Sequence, residues 1–371
     1  MYLLKNGVNT RKKSKKVNNK TLSIALLLPS LAKMGPVLVA YDLVKLMMER
    51  GHEVHVFYFD KKQENVLDFP CPTYNISFWR SIDFKQYDVV HSHGFRPDAY
   101  VWLHKPFRKI HTRFVTTLHN LVLEDFTATY NKIVALVFGH LWMLFIKRHD
   151  VKVVLSKVAR QYYSRWFNPD KLVCIYNTRI VCTDKKLSDN EERELMQFKG
   201  KSTFLGVNAI LTPRKGIDLI IKSMPFIGDC KLWIVGNGKS LENLKQLSVQ
   251  EGVSDRVFFA GYRADAFRYL PYYDIYVMPS RSEGFPLALL EAAALKRNII
   301  CSDIAIFKEI FTSNEVTFFH LDNVSSLVNA VKSSWTNDKS HKSYNRYLND
   351  YSPERFADGY ENVYRGRDAG L

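Results

Sequence analysis

The chain has 371 residues, 46% hydrophobic and 13% aromatic, which suits two packed domains and excludes a disordered chain. Five scattered cysteines (Cys71, Cys174, Cys182, Cys230 and Cys301) exclude a disulfide scaffold and a structural zinc site, and point to a reduced, cytosolic compartment. Lysine and arginine number 53 against 37 acids, a formal charge of +16, and the excess lies almost wholly before residue 190.

Residues 1–20 carry seven basic residues and no acid, residues 21–190 carry 23 against 15, and residues 191–371 carry 23 against 22. A one-sided field of this kind attracts nucleic acid, anionic lipid or acidic ligands. Leu22–Leu28, behind the basic start, imitates a secretory signal, but no Ala-x-Ala site follows it. A helical pattern over Val37–Arg50 and an apolar run over Glu53–Phe59 come next, so Leu22–Leu28 reads as the first buried strand of a parallel sheet. Further strands are expected at Val89–His91, Val115–His119, Val151–Leu155 and Val173–Tyr176. Between them Ile133–Ile146 is apolar over fourteen residues, bracketed by Lys132 and Lys147-Arg148. A bilayer span needs about 20 residues, so this segment is either a buried core helix or an interfacial one.

The polar stretch Thr183–Gly200 reads as a linker. Alternation then restarts with strands at Thr203–Val207, Leu232–Val235, Val257–Ala260, Ile275–Met278 and Ile299–Ser302, and with helices after Gly216, from Ser240 and through Glu291. Two such series predict two doubly wound α/β domains, with chemistry at the carboxyl ends of the strands and in the cleft between domains.

Four loops fall at those ends. Gly35 opens a helix whose first amides could face an anion, although a simple cap explains it as well. Thr212-Pro213-Arg214-Lys215-Gly216 places two cations where the helix dipole disfavours them unless an anion such as a diphosphate is bound, or else they are solvated surface cations. Val235-Gly236-Asn237-Gly238 allows close backbone approach to a ligand, or is a tight turn. Pro279 to Glu291 carries Glu283 in a turn and Glu291 about two helical turns later on an otherwise apolar helix. A carboxylate there needs donors, which sugar or ribose hydroxyls would supply, as would a core amide or arginine. In the first half, His91-Ser92-His93 and His119 end strands; two histidines do not complete a metal site, and His119 either donates to a substrate oxygen or is structural.

The Asp274–Glu291 tract with its Glu-x7-Glu spacing, Pro-Arg-Lys-Gly, Val-Gly-Asn-Gly and Thr-Leu-His resemble the retaining glycosyltransferases of family 4, from Leu22 to about Tyr364. The resemblance implies a GT-B fold: a basic tail over 1–20, an acceptor domain over 21–190, a nucleotide-sugar domain over 200–350, and a helix over 351–371 returning to the first domain. It implies that Lys215 binds the donor diphosphate, Glu283 the transferred sugar and Glu291 the ribose. Amides around Gly35 and over Ser282, Gly284, Phe285 and Leu287 would hold phosphate oxygens, with Gly236 beside the donor and His119 facing the reacting sugar. No metal or other cofactor is implied. The chain departs from the family at Asn208-Ala209-Ile210, where a Gly-Arg pair is usual and Arg214 would substitute, and at Lys296, where glycine is common.

The expected function is hexosyl or N-acetylhexosaminyl transfer, with retention, from a nucleotide-sugar to a lipid-linked or polysaccharide acceptor in cell-surface glycan synthesis. Its place would be the cytoplasmic side of the membrane, bound to an anionic surface. A GT-B epimerase is the alternative. Nucleic-acid binding is disfavoured, because the basic tail holds Tyr2 as its sole aromatic.

Overall fold

The computed structural model describes residues 20–60, 66–124 and 132–367, so the basic tail lies outside it except for Lys20. Strands β1 (Ser23–Leu28), β2 (Glu53–Tyr58), β3 (Thr73–Asn75), β4 (Val89–His93), β5 (Arg113–Leu118), β6 (Val151–Val154) and β7 (Leu172–Cys174) form one sheet in the order β3-β2-β1-β4-β5-β6-β7. Strands β8 (Thr203–Asn208), β9 (Cys230–Val235), β10 (Val257–Gly261), β11 (Ile275–Met278), β12 (Asn298–Ser302) and β13 (Thr317–Phe319) form a second, ordered β10-β9-β8-β11-β12-β13. Every pairing is parallel. Parallel strands are covered by helices on both faces, which is why they read as unbroken apolar runs rather than alternating ones. The sequence pattern missed β3 and β13, three-residue strands at sheet edges.

The helices are α1 (Gly35–Glu49), α2 (Phe95–His104), α3 (Lys132–Lys147), α4 (Lys157–Tyr163), α5 (Asp189–Lys199), α6 (Ile217–Ser223), α7 (Leu241–Gln250), α8 (Leu287–Ala294), α9 (Ala305–Ile310), α10 (Val324–Ser334), α11 (Ser340–Asp350) and α12 (Pro353–Arg365). Strand order reverses between β1 and β4 and again between β8 and β11, so a crevice opens at the carboxyl ends of each pair.

Several contacts join the domains, three of them away from the cleft floor. First, α12 lies on the first domain, its Phe356, Tyr360, Val363 and Tyr364 sharing one core with Val37, Leu43 and Val115. Second, Glu309 on α9 accepts the backbone N–H of Lys157 at 2.5 Å and of Val158 at 3.1 Å, capping α4 from the opposite domain. Third, Asp265 beyond β10 pairs with Lys33 in the loop after β1, and with Lys185 at 2.8 Å.

The fourteen-residue apolar segment forms α3. Its Trp142, Met143, Phe145 and Ile146 are buried, and Trp142 Nε1 donates to the buried Asp98 at 2.7 Å, a carboxylate that also accepts from Ser92 at 2.6 Å and Thr116 at 2.8 Å. Its other face is exposed, so the buried-helix reading holds for one side alone.

The expected linker Thr183–Gly200 is corrected: most of it is α5, started by a reciprocal capping box between Ser188 and Glu191. The helix buries one apolar side chain, Leu195, in the core of the second domain, too little to leave a periodic signal. Leu195→Ala should therefore cost about 2–4 kcal/mol in denaturant unfolding, as a core leucine does, where a linker residue would cost within about 0.5 kcal/mol.

Candidate active site between the domains

The first domain contributes histidines. His119 follows the end of β5, and its Nε2 lies 2.8 Å from Nδ1 of His93 at the end of β4. His91, stacked on His93 at 4.3 Å between ring centroids, has both nitrogens engaged: Nδ1 with the Tyr364 hydroxyl and Nε2 with the Thr117 hydroxyl, each at 2.8 Å. Thr117 in turn meets the Tyr360 hydroxyl at 2.9 Å, so α12 fastens these strand ends. His93 Nε2 is buried without a hydrogen-bond partner. Burial lowers the pKa of all three imidazoles, to about 3 for His119, leaving that ring neutral at ordinary pH. Among the described residues, no three or more His, Cys, Asp or Glu side chains are grouped to hold a metal ion.

The second domain contributes a charge pair. Pro213–Lys215 make a single helical turn ended by Gly216 at φ +64°. A Cβ on Gly216 would sit 2.1 Å from the Pro279 carbonyl, so glycine is what lets this loop close on the next. Lys215 Nζ lies 2.6 Å from Glu283 Oε1, and Ser280 Oγ donates to the same oxygen at 2.6 Å. Glu283 is thus the anion that the two cations of this loop require. Arg214 is exposed, donates to the Ser282 carbonyl at 3.3 Å, and lies 4.0 Å from Glu283. Arg281 clamps Asp218 on α6 with two bonds of 2.9 Å, holding both loops against that helix.

Glu291 on α8 accepts from Arg179 Nε at 2.8 Å, and Arg179 Nη1 reaches Asp42 on α1, also at 2.8 Å. Of the partners weighed from sequence, arginine is the one found. Burial raises the pKa of Glu291 and Asp42 against the pull of Arg179; burial opposes the guanidinium charge too, but the two carboxylates more than offset it.

The other expected positions divide. Gly284 is where the domains touch: a Cβ there would lie 2.4 Å from the His119 carbonyl. Leu287, the first residue of α8, packs against the core of the first domain, and Phe285 lies in that of the second. Ser282 is exposed in the loop. Gly35 is the first residue of α1, whose amino end has no side-chain cap and no acid in its first turn. At Gly236 the close approach is made by protein: its N–H bonds the Gly261 carbonyl at 2.8 Å, and a Cβ would meet the Ala209 carbonyl at 1.8 Å. Lys296 adopts φ +56°, the left-handed conformation that favours glycine, with its ammonium 4.5 Å from the Tyr344 ring centroid.

Sequence reasoning missed Arg179 and Asp42. Asp42 offered the signal that singled out Glu291, one carboxylate on an apolar helix, whereas Arg179 sits in a crossing segment without periodicity.

Two parallel-sheet α/β domains meeting at the carboxyl ends of their strands, with a lysine–glutamate pair facing a histidine-bearing strand end, define a glycosyltransferase of the GT-B class. Residues 35–178 match the Glycosyltransferase Family 4 model and residues 188–350 the Glycosyl transferases group 1 model. The O-antigen biosynthesis glycosyltransferase WclY of Escherichia coli is 32% identical over 92% of this chain and 98% of its own length. The chain belongs to the family 4-type GT-B glycosyltransferases. Sucrose-phosphate synthase of Thermosynechococcus elongatus shares the fold at TM-score 0.75 and 17% identity, covering 93% of this chain and 98% of that one. HepE of Anabaena, in complex with UDP and glucose, does so at 0.75 and 15%, covering 93% and 100%.

Two outcomes follow from this geometry. Gly284→Ala should lower turnover about 10- to 100-fold by forcing the domain contact apart, measured by steady-state kinetics beside an unchanged circular dichroism spectrum. Acid should destabilise the fold: His119 and His149 are depressed by burial from 6.5 to about 3, and His91 and His93 are lowered too. Depressed values give a contribution complete above pH 6.5 and lost as pH falls toward 3. Asp98, raised by burial from 3.8 to about 6, acts oppositely, as do the raised Asp42 and Glu291, but five histidines, His52 included, are lowered. The melting temperature should therefore drop between about pH 7 and about pH 5.

Proposed function

We propose that the chain is a retaining hexosyl- or N-acetylhexosaminyltransferase that moves a sugar from a nucleotide-sugar to a lipid-linked or polysaccharide acceptor during O-antigen, capsule or lipopolysaccharide-type synthesis. It works without a metal cofactor, peripherally on the cytoplasmic face of the membrane. The observation that carries the reading is the Lys215–Glu283 pair at 2.6 Å, in a loop whose Gly284 abuts His119 of the opposite domain. The name of WclY supports the glycan class, and UDP in HepE puts uridine nucleotides first among donors to test.

The chemistry follows from charge. Without donor, Lys215 and Glu283 satisfy each other. A diphosphate attracts Lys215, with Arg214 the nearest further cation, and frees Glu283 to accept from sugar hydroxyls. The amino ends of α1 and α8 face the phosphates, and the ribose meets Glu291 on the side that Arg179 leaves open. The bond from the sugar's anomeric carbon to the diphosphate oxygen then breaks. The acceptor oxygen bonds that carbon from the same face, and its proton passes to the departing phosphate oxygen. His119, kept neutral by burial, adds no charge to repel the oxocarbenium-like sugar.

One of the UDP-, GDP- or ADP-sugars should raise the melting temperature, since a ligand of the native state stabilises by about 2.7 kcal/mol at a hundredfold excess over Kd. Lys215→Ala and Glu283→Ala should each lower turnover about 10²- to 10³-fold, equivalent to about 3–4 kcal/mol of barrier, with the fold retained. Normal turnover by either variant overturns the assignment.

A further inference from the structure

The active site leaves one surface without a role. Helix α3 is apolar on nearly all sides, yet among its described side chains Trp142, Met143, Phe145 and Ile146 are the ones that pack inward. Ile133 (76% exposed), Leu136 (62%), Val137 (56%), Leu141 (37%) and Leu144 (44%) face outward at helical spacing, and Phe138 is 44% exposed beside them. Trp166, 40% exposed, widens the stripe through its edge contact with His140 at 5.6 Å. A contiguous apolar face of this size marks an interaction surface.

Its occupant follows from length and charge. The helix has 16 residues, short of the about 20 that a bilayer span needs, and among the described residues no helix is long and apolar enough to cross a membrane. It ends in cations: Lys147 is exposed, and Arg148 stacks 4.8 Å over Phe107, which is 98% exposed. Lys20, the last cation of the basic stretch, stands at the amino ends of the strands, where α3 also ends. Lys20 pairs with Asp88 at 3.5 Å, the Asp88 carbonyl accepts from Arg113 at 2.9 Å, and Asp150, just past α3, accepts from Phe114 at 2.8 Å. Nineteen residues precede Lys20 and carry six further cations and no acid. A second copy on this face would set like charge against like charge, whereas an anionic bilayer presents headgroups to the cations and acyl chains to the stripe.

We propose that α3 seats the enzyme in the interface of an anionic bilayer, its apolar stripe in the leaflet and Lys147 and Arg148 on the headgroups. The inference rests on the lipid-side reading above and deepens it, because α3 is fastened to the segment that carries His119. Gly139 lies where a Cβ would fall 2.5 Å from Leu123, and the Tyr163 hydroxyl, reached from α4, bonds both the Val122 N–H at 3.2 Å and the Asn120 carbonyl at 2.7 Å. Seating α3 holds the acceptor half of the cleft at the membrane, so the acceptor arrives on a lipid carrier.

The test uses the full chain and sedimentation with vesicles of phosphatidylglycerol and phosphatidylethanolamine, against phosphatidylcholine vesicles, at low and high salt. The wild type should co-sediment with the anionic vesicles. The double variant Leu136→Gln/Leu144→Gln should lose about tenfold or more of that partitioning while its melting temperature and its stabilisation by nucleotide-sugars stay the same. Absence of wild-type binding overturns the proposal, as does equal binding by the double variant, which would leave the charge alone responsible. A concentration-dependent dimer abolished by the same variant, without vesicle binding, overturns it in favour of a second copy. The readouts are separable: vesicle binding without stabilisation by any nucleotide-sugar sinks the transferase reading and spares the surface, and the converse result does the reverse.

Discussion

Arg179 ties the two domains together through a buried set of charges. Its guanidinium lies between Asp42 on the first helix of one domain and Glu291 on the helix behind the active-site loop of the other, with 9% of its side chain exposed. Three charges withdrawn from water are tolerable only as a set, since removing one strands the others. The set therefore fixes α1 against α8. It also occupies one oxygen of the Glu291 carboxylate. The Glu309 cap on α4 and the α12 crossing act in the same direction, and together they bring Gly284 against the His119 carbonyl.

Charge in the cleft is balanced locally. Lys215 and Glu283 neutralise each other, and burial keeps the three histidines opposite them uncharged. Arg214, exposed 4.0 Å from Glu283, is the cation left over in that loop. In the function proposed above, an anionic donor would be recognised by displacing the internal pair, tying donor capture to release of the Glu283 carboxylate. The overall surplus has a different place. It lies before residue 190, in the half that carries the apolar stripe of α3, while residues 191–371 are nearly neutral.

The strands, their order of appearance and the chemistry-bearing loops were legible because parallel strands leave continuous apolar runs and their loops carry Gly, Pro and charge at fixed places. The Glu-x7-Glu tract, the Pro-Arg-Lys-Gly turn and the Thr-Leu-His ending were all visible as residues on such loops. The edge strands β3 and β13 were not, nor was α5, which buries one leucine among eleven residues, eight of them polar or charged, and leaves no period to detect. Gly236 shows the ambiguity of a single glycine: close approach was required, but the approaching group is the Ala209 carbonyl.

The sequence by itself determined the two doubly wound domains, the loops that hold the chemistry and the imbalance of charge, because each is written in local composition and spacing. The tertiary structure decided the pairing: that Glu291 meets Arg179, that Glu283 neutralises Lys215, and that Gly284 makes room for His119. It also decided which side of α3 stays uncovered, since a segment apolar all round carries no mark of which face the core will take. These are contacts between residues 68 to 165 positions apart, and no local pattern encodes a distance that only the meeting of two folded domains creates.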